Sequence, residues 1–336
     1  MSFENVTQTP PAYCDFQTMH AGLWGRSGPY LYSKADVLED IRRFVTRYRA
    51  DSFRLAVSSI AWRPEEDEAM RDVLADLGVR GVELSPDRLL DEHDQLSKAR
   101  VAEQRSFWAA RGISIVAVQG VLFRREFLRL FESEENRNQT KHCLMEMIVA
   151  IRHLGAKVLM FGCPRNRRRG SLSNAEADRI AVPFFTDLAA FAHANDVVFC
   201  IEPNPEMYGA DYLITTWEAY ELARKVNHPG FGINVDTGAM IAASETGDAL
   251  AGFARLIRHV HISQPGLGPV ADIDSSVHGR LATALRQIRY TGWISVEMAR
   301  TSNEELSNIE RVISAVDRVK TVYGFASQRL AAERRA

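Results

Sequence analysis

From Ser52 onward the chain alternates short runs of Val, Ile, Leu and Phe with longer stretches in which apolar residues recur every three or four positions. Eight runs have strand character: FRLAVSSIAW (53–62), GVRGVELS (78–85), GISIVAVQG (112–120), AKVLMFG (156–162), VVFCIEP (197–203), FGINVDTG (231–238), IRHVHIS (257–263) and WISVEM (293–298). Their nearly unbroken apolar character suits strands covered on both faces. Between them lie helical patterns. One starts at Pro64-Glu65-Glu66 and stops at Gly78; others cover 97–112, 175–196, 216–226 and 278–289. Strict strand–helix alternation predicts a parallel sheet, and eight strands predict closure into a (β/α)8 barrel. The competing architecture is an open doubly wound sheet, but no Gly-rich dinucleotide loop follows the first strand.

The barrel is expected over 53–325, with an N-terminal arm and helix at 1–52 and a fraying polar tail at 326–336. In the N-terminal piece Val37, Ile41, Phe44, Val45 and Tyr48 share one helical face. Tyr30, Leu31 and Tyr32 would be exposed apolar surface unless the arm packs on something, which points to a homo-oligomer.

Composition narrows the function classes. Of 336 residues, 41 are Lys or Arg and 43 Asp or Glu, a formal charge of -2. That balance supplies no long-range attraction to nucleic acid or to an anionic membrane. The first residues lack the basic-then-apolar plan of a secretory signal, and the longest largely apolar run, Ile113 to Phe123, is too short to span a bilayer. Cys14, Cys143, Cys163 and Cys200 are scattered and form no CxxC pair, which disfavours a disulfide scaffold or a structural zinc. A cytoplasmic protein is expected.

In a barrel the C-terminal strand ends face one shared mouth, where such folds keep their chemistry. The last inward positions of strands five to eight are Glu202, Asp236, His261 and Glu297. A lone acid there is usually a cap or an ion-pair partner, and a lone strand histidine is usually satisfied in the core; His259 also rivals His261 on the same strand face. Four such residues on consecutive strands, ~5 Å apart, form a shared metal or acid–base site. Three carboxylates and an imidazole suit Mn²⁺ or Mg²⁺, with Co²⁺ or Zn²⁺ as further options.

The phrases LAVSSIAW, FCIEPNP, GINVDTG, RHVHISQP and YTGWISVEMA, in this order over residues 53 to 320, resemble the sugar phosphate isomerase/epimerase superfamily. These are the xylose-isomerase-like TIM barrels, which include the endonuclease IV type of repair enzyme. The resemblance implies one divalent metal held by Glu202, Asp236, His261 and Glu297. It also implies that Glu202 and Glu297 move protons on and off carbons beside a carbonyl, which the acidity of such protons permits. Two departures stand out. Many relatives have a histidine three residues after the strand-six aspartate, where this chain has Ala239, and Gln264 stands where an acid is common. Strand two ending in Glu83, strand three in Gln119, and Ala239 together remove the histidines a trinuclear zinc nuclease would need.

Other candidates would contact substrate. The loop GCPRNRRRG offers Arg165 and Arg167, with Arg168 and Arg169, to an anionic group. Asn204, His278, Arg300, Glu83 and Gln119 lie near strand ends; Trp62 could wall a sugar ring, although core packing is the commoner role for such a residue. The resulting expectation is a metal-dependent isomerase or epimerase of a small carbohydrate, with no nucleic-acid or membrane partner. A dehydratase or lyase acting on a keto-sugar or cyclitol, and a barrel that binds ligand without turnover, are the alternatives.

Overall fold

The computed structural model describes residues 53–247, 250–301 and 307–325. The expected arm and helix at 1–52 and the tail at 326–336 lie outside them. The strands are β1 (Arg54–Ser58), β2 (Gly81–Leu84), β3 (Ser114–Val118), β4 (Val158–Phe161), β5 (Val198–Ile201), β6 (Phe231–Asp236), β7 (Ile257–Ile262) and β8 (Trp293–Val296). All pair in parallel in chain order, and β8 returns to β1 through Leu55 opposite Ile294, closing the barrel. Each observed strand lies inside a run that the sequence pattern marks, shortened at its ends where the residues turn into loops.

The helices are α1 (Asp67–Asp76), α2 (Lys98–Ala109), α3 (Glu134–Leu154), α4 (Asn174–Ala194), α5 (Thr216–Val226), α6 (Thr237–Ala242), α7 (Leu250–Phe253), α8 (Ser275–Gln287) and α9 (Asn308–Val322). Hydroxyl or carboxylate side chains cap the long ones. Ser97, Ser133, Ser173, Thr215, Asp274 and Ser307 each accept from a backbone N–H of the first turn. The long helices α3 and α9 and the short α6 and α7 are additional to the five that the pattern marks. Helix α3 opens with two polar turns, EENRNQTK, that hide its amphipathic second half, and it ends at Gly155 with φ +83°. No described helix is long and apolar enough to cross a membrane.

The core has two parts. Between sheet and helices lies a large apolar layer, typified by Phe161, Phe199 and Phe231 of the strands, the last two stacked 6.0 Å apart, against Phe185 and its neighbour Phe184 of α4. Inside the barrel a small cluster of Ala56, Val116, Val158, Met160 and Cys200 sits over the Trp293 ring. Arg54 lies over that ring at 4.8 Å. Gly81 makes the plug possible, because a Cβ there would come within 2.6 Å of the Trp293 ring and 2.8 Å of the Ala56 Cβ. The strand end distal to this apolar plug is where the interior turns polar.

Gly81→Ala should therefore destabilise the fold by about 1–3 kcal/mol through overpacking. Urea unfolding checks this; an unchanged midpoint would mean that Trp293 can move aside.

Candidate active site

The interior polar residues follow from strand periodicity: every second residue of a barrel strand points inward. On β6 these are Asn234 and Asp236; on β7, His259 and His261, continued by Ser263; on β8, Ser295, continued by Glu297. Glu202 follows β5 directly. The Nδ1 atom of His261 lies 3.1 Å from Glu297 Oε2, 3.7 Å from Glu202 Oε2 and 3.7 Å from Asp236 Oδ2. Each carboxylate has its own support. Asn204 and Asn234 donate to the two oxygens of Glu202, both at 3.0 Å. Asp236 accepts from the Ala239 backbone N–H at 2.5 Å and from the Ser263 hydroxyl at 2.8 Å. Two glycines leave the room: a Cβ on Gly162 would come within 2.8 Å of the Glu202 carboxylate, and one on Gly238 within 2.6 Å of Ser263 Oγ.

Burial sets the electrostatics. It pushes the Glu202 carboxyl up against the attraction of His261, and it pushes Glu297 up to about 8 against the same imidazole. Burial would also raise Asp236, but His261, the Ala239 N–H and Ser263 hold it below the usual carboxylate range. Glu83 is held down at about 2: burial raises it, and the two imidazoles of His261 and His259 outweigh burial. His261 itself is held well above the ordinary imidazole value; burial works against its charge, and the Glu297 and Glu83 carboxylates overrule burial. His261 thus stands among four buried carboxyl groups. Donors bound at about 2.1 Å to one ion stand roughly 3–3.5 Å from one another. Glu202, Asp236 and His261 each offer a ligand atom within 4.8 Å of the others, with Glu297 3.1 Å from His261 Nδ1, and this hard donor set suits a divalent cation.

A cavity of about 1020 Å³ opens above this cluster, with Glu202, Asp236 and Glu297 on its floor. Of the residues expected to contact substrate, Asn204, Gln119, Arg165 and Arg300 line it. Arg165 is held by Glu126 at 2.6 Å, and Gln119 donates to Ser58 Oγ. Four others do not line it. Arg167 is fully buried and donates to the carbonyls of Phe161, Glu202, Tyr212 and Leu213 and to Asn204 Oδ1, so its guanidinium ties two loops together. Trp62 is buried against Asp67, to which it donates at 2.6 Å, and packs on Trp108. His278 pairs with the Tyr323 hydroxyl at 3.0 Å behind the barrel wall. Glu83 sits beneath His261. Arg169 is engaged by Asp211 and Leu172, and Arg168 faces Asp211 at 3.8 Å. Asn234 and Ser263 were not expected in the site. Their signal was available, because each stands two residues from a ligand candidate on the same strand face.

The model of one family, described as the xylose isomerase-like TIM barrel, matches residues 71–319. The chain belongs to that family. No curated protein matches it significantly. Xylose isomerase-like barrels are also what it is similar to among solved structures. A D-psicose 3-epimerase from Clostridium cellulolyticum H10, crystallised with D-tagatose, shares 15% identity at a TM-score of 0.64, covering 80% of this chain and 98% of that one. An L-ribulose 3-epimerase shares 17% identity at 0.66, covering 84% and 98%. The IolI protein with a bound zinc atom shares 16% at 0.63, covering 81% and 98%. At such identities the likeness establishes the fold. Ala239 is buried in the first turn of α6 and donates its backbone N–H to Asp236.

Two outcomes follow. Arg167→Met should cost roughly 3 kcal/mol or more, since several buried carbonyls each lose a donor, and denaturant unfolding measures it. In metal-free protein Glu297 takes up its proton more readily when folded. Its contribution to stability is complete below the ordinary carboxylate value of 4.5 and is lost as pH rises toward about 8. Thermal unfolding across that window should show the decline, and Glu297→Gln should flatten it.

Proposed function

We propose that the chain is a divalent-metal-dependent isomerase or epimerase acting on a sugar or sugar-like substrate by proton transfer beside a carbonyl. The observation that carries the reading is the convergence of Glu202, Asp236 and Glu297 on His261 Nδ1 at the floor of a deep cavity. Glu202, Asp236, His261 and Glu297 would hold the ion; Mn²⁺ or Mg²⁺ suits three carboxylates, and Co²⁺ or Zn²⁺ would also fit. When bound, such an ion polarises a carbonyl or hydroxyl and makes the neighbouring C–H more acidic.

The protein's own groups supply the rest. Glu202 enters from β5 and Glu297 from β8, with β6 and β7 between them, so the two carboxyls reach a substrate from different sides. One takes a proton from the carbon beside the carbonyl, leaving an enediolate. The other returns a proton, to the opposite face of that carbon in an epimerisation or to its neighbour in an isomerisation. Asn204 and Asn234 fix the plane of Glu202 while leaving its remaining lone pairs available. The glutamates are only 5–7% exposed, so water competes poorly for the proton in transit. Arg124 and Arg300 line the cavity and have no ion-pair partner among the described residues, which favours an anionic substituent on the substrate. The epimerases and the zinc-containing protein that share this fold support the reading.

Metal analysis of purified protein should find about one divalent ion per chain, lost in Glu202→Gln and Asp236→Asn. Incubation with keto-sugars in D₂O should then place deuterium beside the carbonyl, and Glu202→Gln or Glu297→Gln should slow this by roughly 10²–10⁴-fold. Failure to take up Mn²⁺, Mg²⁺, Co²⁺ or Zn²⁺ would overturn the reading. A product lighter by one water would replace it with a dehydratase.

A further inference from the structure

The two ring nitrogens of His261 face different surroundings. Nδ1 looks into the carboxylate cluster at the cavity floor. Nε2 points back into the barrel, 3.1 and 3.2 Å from the two oxygens of Glu83, which stands across the interior on β2 with no solvent exposure. A neutral imidazole has one N–H and one lone pair, whereas a carboxylate only accepts. When an ion replaces the Nδ1 proton of the charged ring, Glu83, which can only accept, keeps the other proton on Nε2 and leaves the Nδ1 lone pair directed toward Glu202, Asp236 and Glu297. The Asn234 amide nitrogen, a donor 3.2 Å from Nδ1, faces that same lone pair. His259 Nε2 also approaches Glu83 from below, 2.9 Å from its Oε2, without the geometry of a hydrogen bond.

Resting on the metal-dependent reading above, the geometry points to Glu83 as a positioning residue that fixes His261 in its Nε2–H form and aims Nδ1 at the divalent ion. Carboxylate partners of this kind raise the basicity of a histidine ligand and set its ring orientation. Glu83 touches neither the cavity nor the reacting atoms. Its influence runs through His261 alone. Glu83, His259 and His261 also lie close enough together to hold an ion of their own, with ligand atoms within 4.8 Å of one another. That arrangement would need the Nε2 lone pair and is incompatible with a proton there.

The test uses the full chain loaded with diamagnetic Zn²⁺ and labelled with ¹⁵N-histidine. Wild-type spectra should show one ring with the proton on Nε2 and the metal at Nδ1, at one Zn²⁺ per chain. Chelator competition should show Glu83→Gln, which can offer an N–H in place of the carboxylate, binding Zn²⁺ about 10–100-fold more weakly. Because that variant could fail to fold, the wild-type spectrum decides independently: an Nε2 without a proton, or two ions per chain, overturns the proposal. Affinity in a folded Glu83→Gln within threefold of wild type overturns it as well, while leaving the metal-dependent reading intact. Wild-type protein that binds no ion removes both.

Discussion

Charge buried without an answer is the constraint around which this barrel is organised. Removing a carboxylate from water costs several kcal/mol unless nearby charge and hydrogen bonds offset the loss. Here Glu83, Glu202, Asp236 and Glu297 all lie inside the strand cylinder. Asparagine amides, a serine hydroxyl and a backbone N–H each neutralise a little, and His261 neutralises most. Burial still pushes the Glu202 carboxyl upward and the Glu297 carboxyl up to about 8.

Positioning follows from the same economy of space. The apolar plug of Ala56, Val158, Met160 and Trp293 closes one end of the barrel and carries no chemistry, leaving the other end to polar side chains. Within that polar end the side chains form two tiers. The upper tier, from Glu202 to Glu297, faces the cavity. The lower tier, Glu83 with His259, faces only other side chains. Arg167 bridges the loops after β4 and β5 through four carbonyls, so the backbone carrying Glu202 is fixed from outside the barrel as well as within it.

Much of this was legible in the sequence. Eight apolar runs in strict alternation with helices gave the closed parallel sheet, because strands buried on both faces have few other ways to pack. The cluster of Glu202, Asp236, His261 and Glu297 was legible because barrel topology converts the position of a strand end into proximity. What sequence could not show was direction. Arg165 and Arg167 are two residues apart in one basic loop; one reaches the cavity and the other turns inward to carbonyls that only the folded chain brings together. Trp62 and His278 also sit near strand ends but pack away from the mouth. Glu83 was visible as a polar strand end, and its partner across the barrel was not, since no periodicity relates β2 to β7.

The glycine that ends strand four has a consequence of its own. Gly162 contributes no atom to the chemistry, yet the Glu202 carboxylate fills the place where a side chain would begin. The missing methyl group is the mould for a neighbouring strand's acid. A change at 162 would move Glu202 without touching its codon, so the placement of the strand-five acid is governed from strand four.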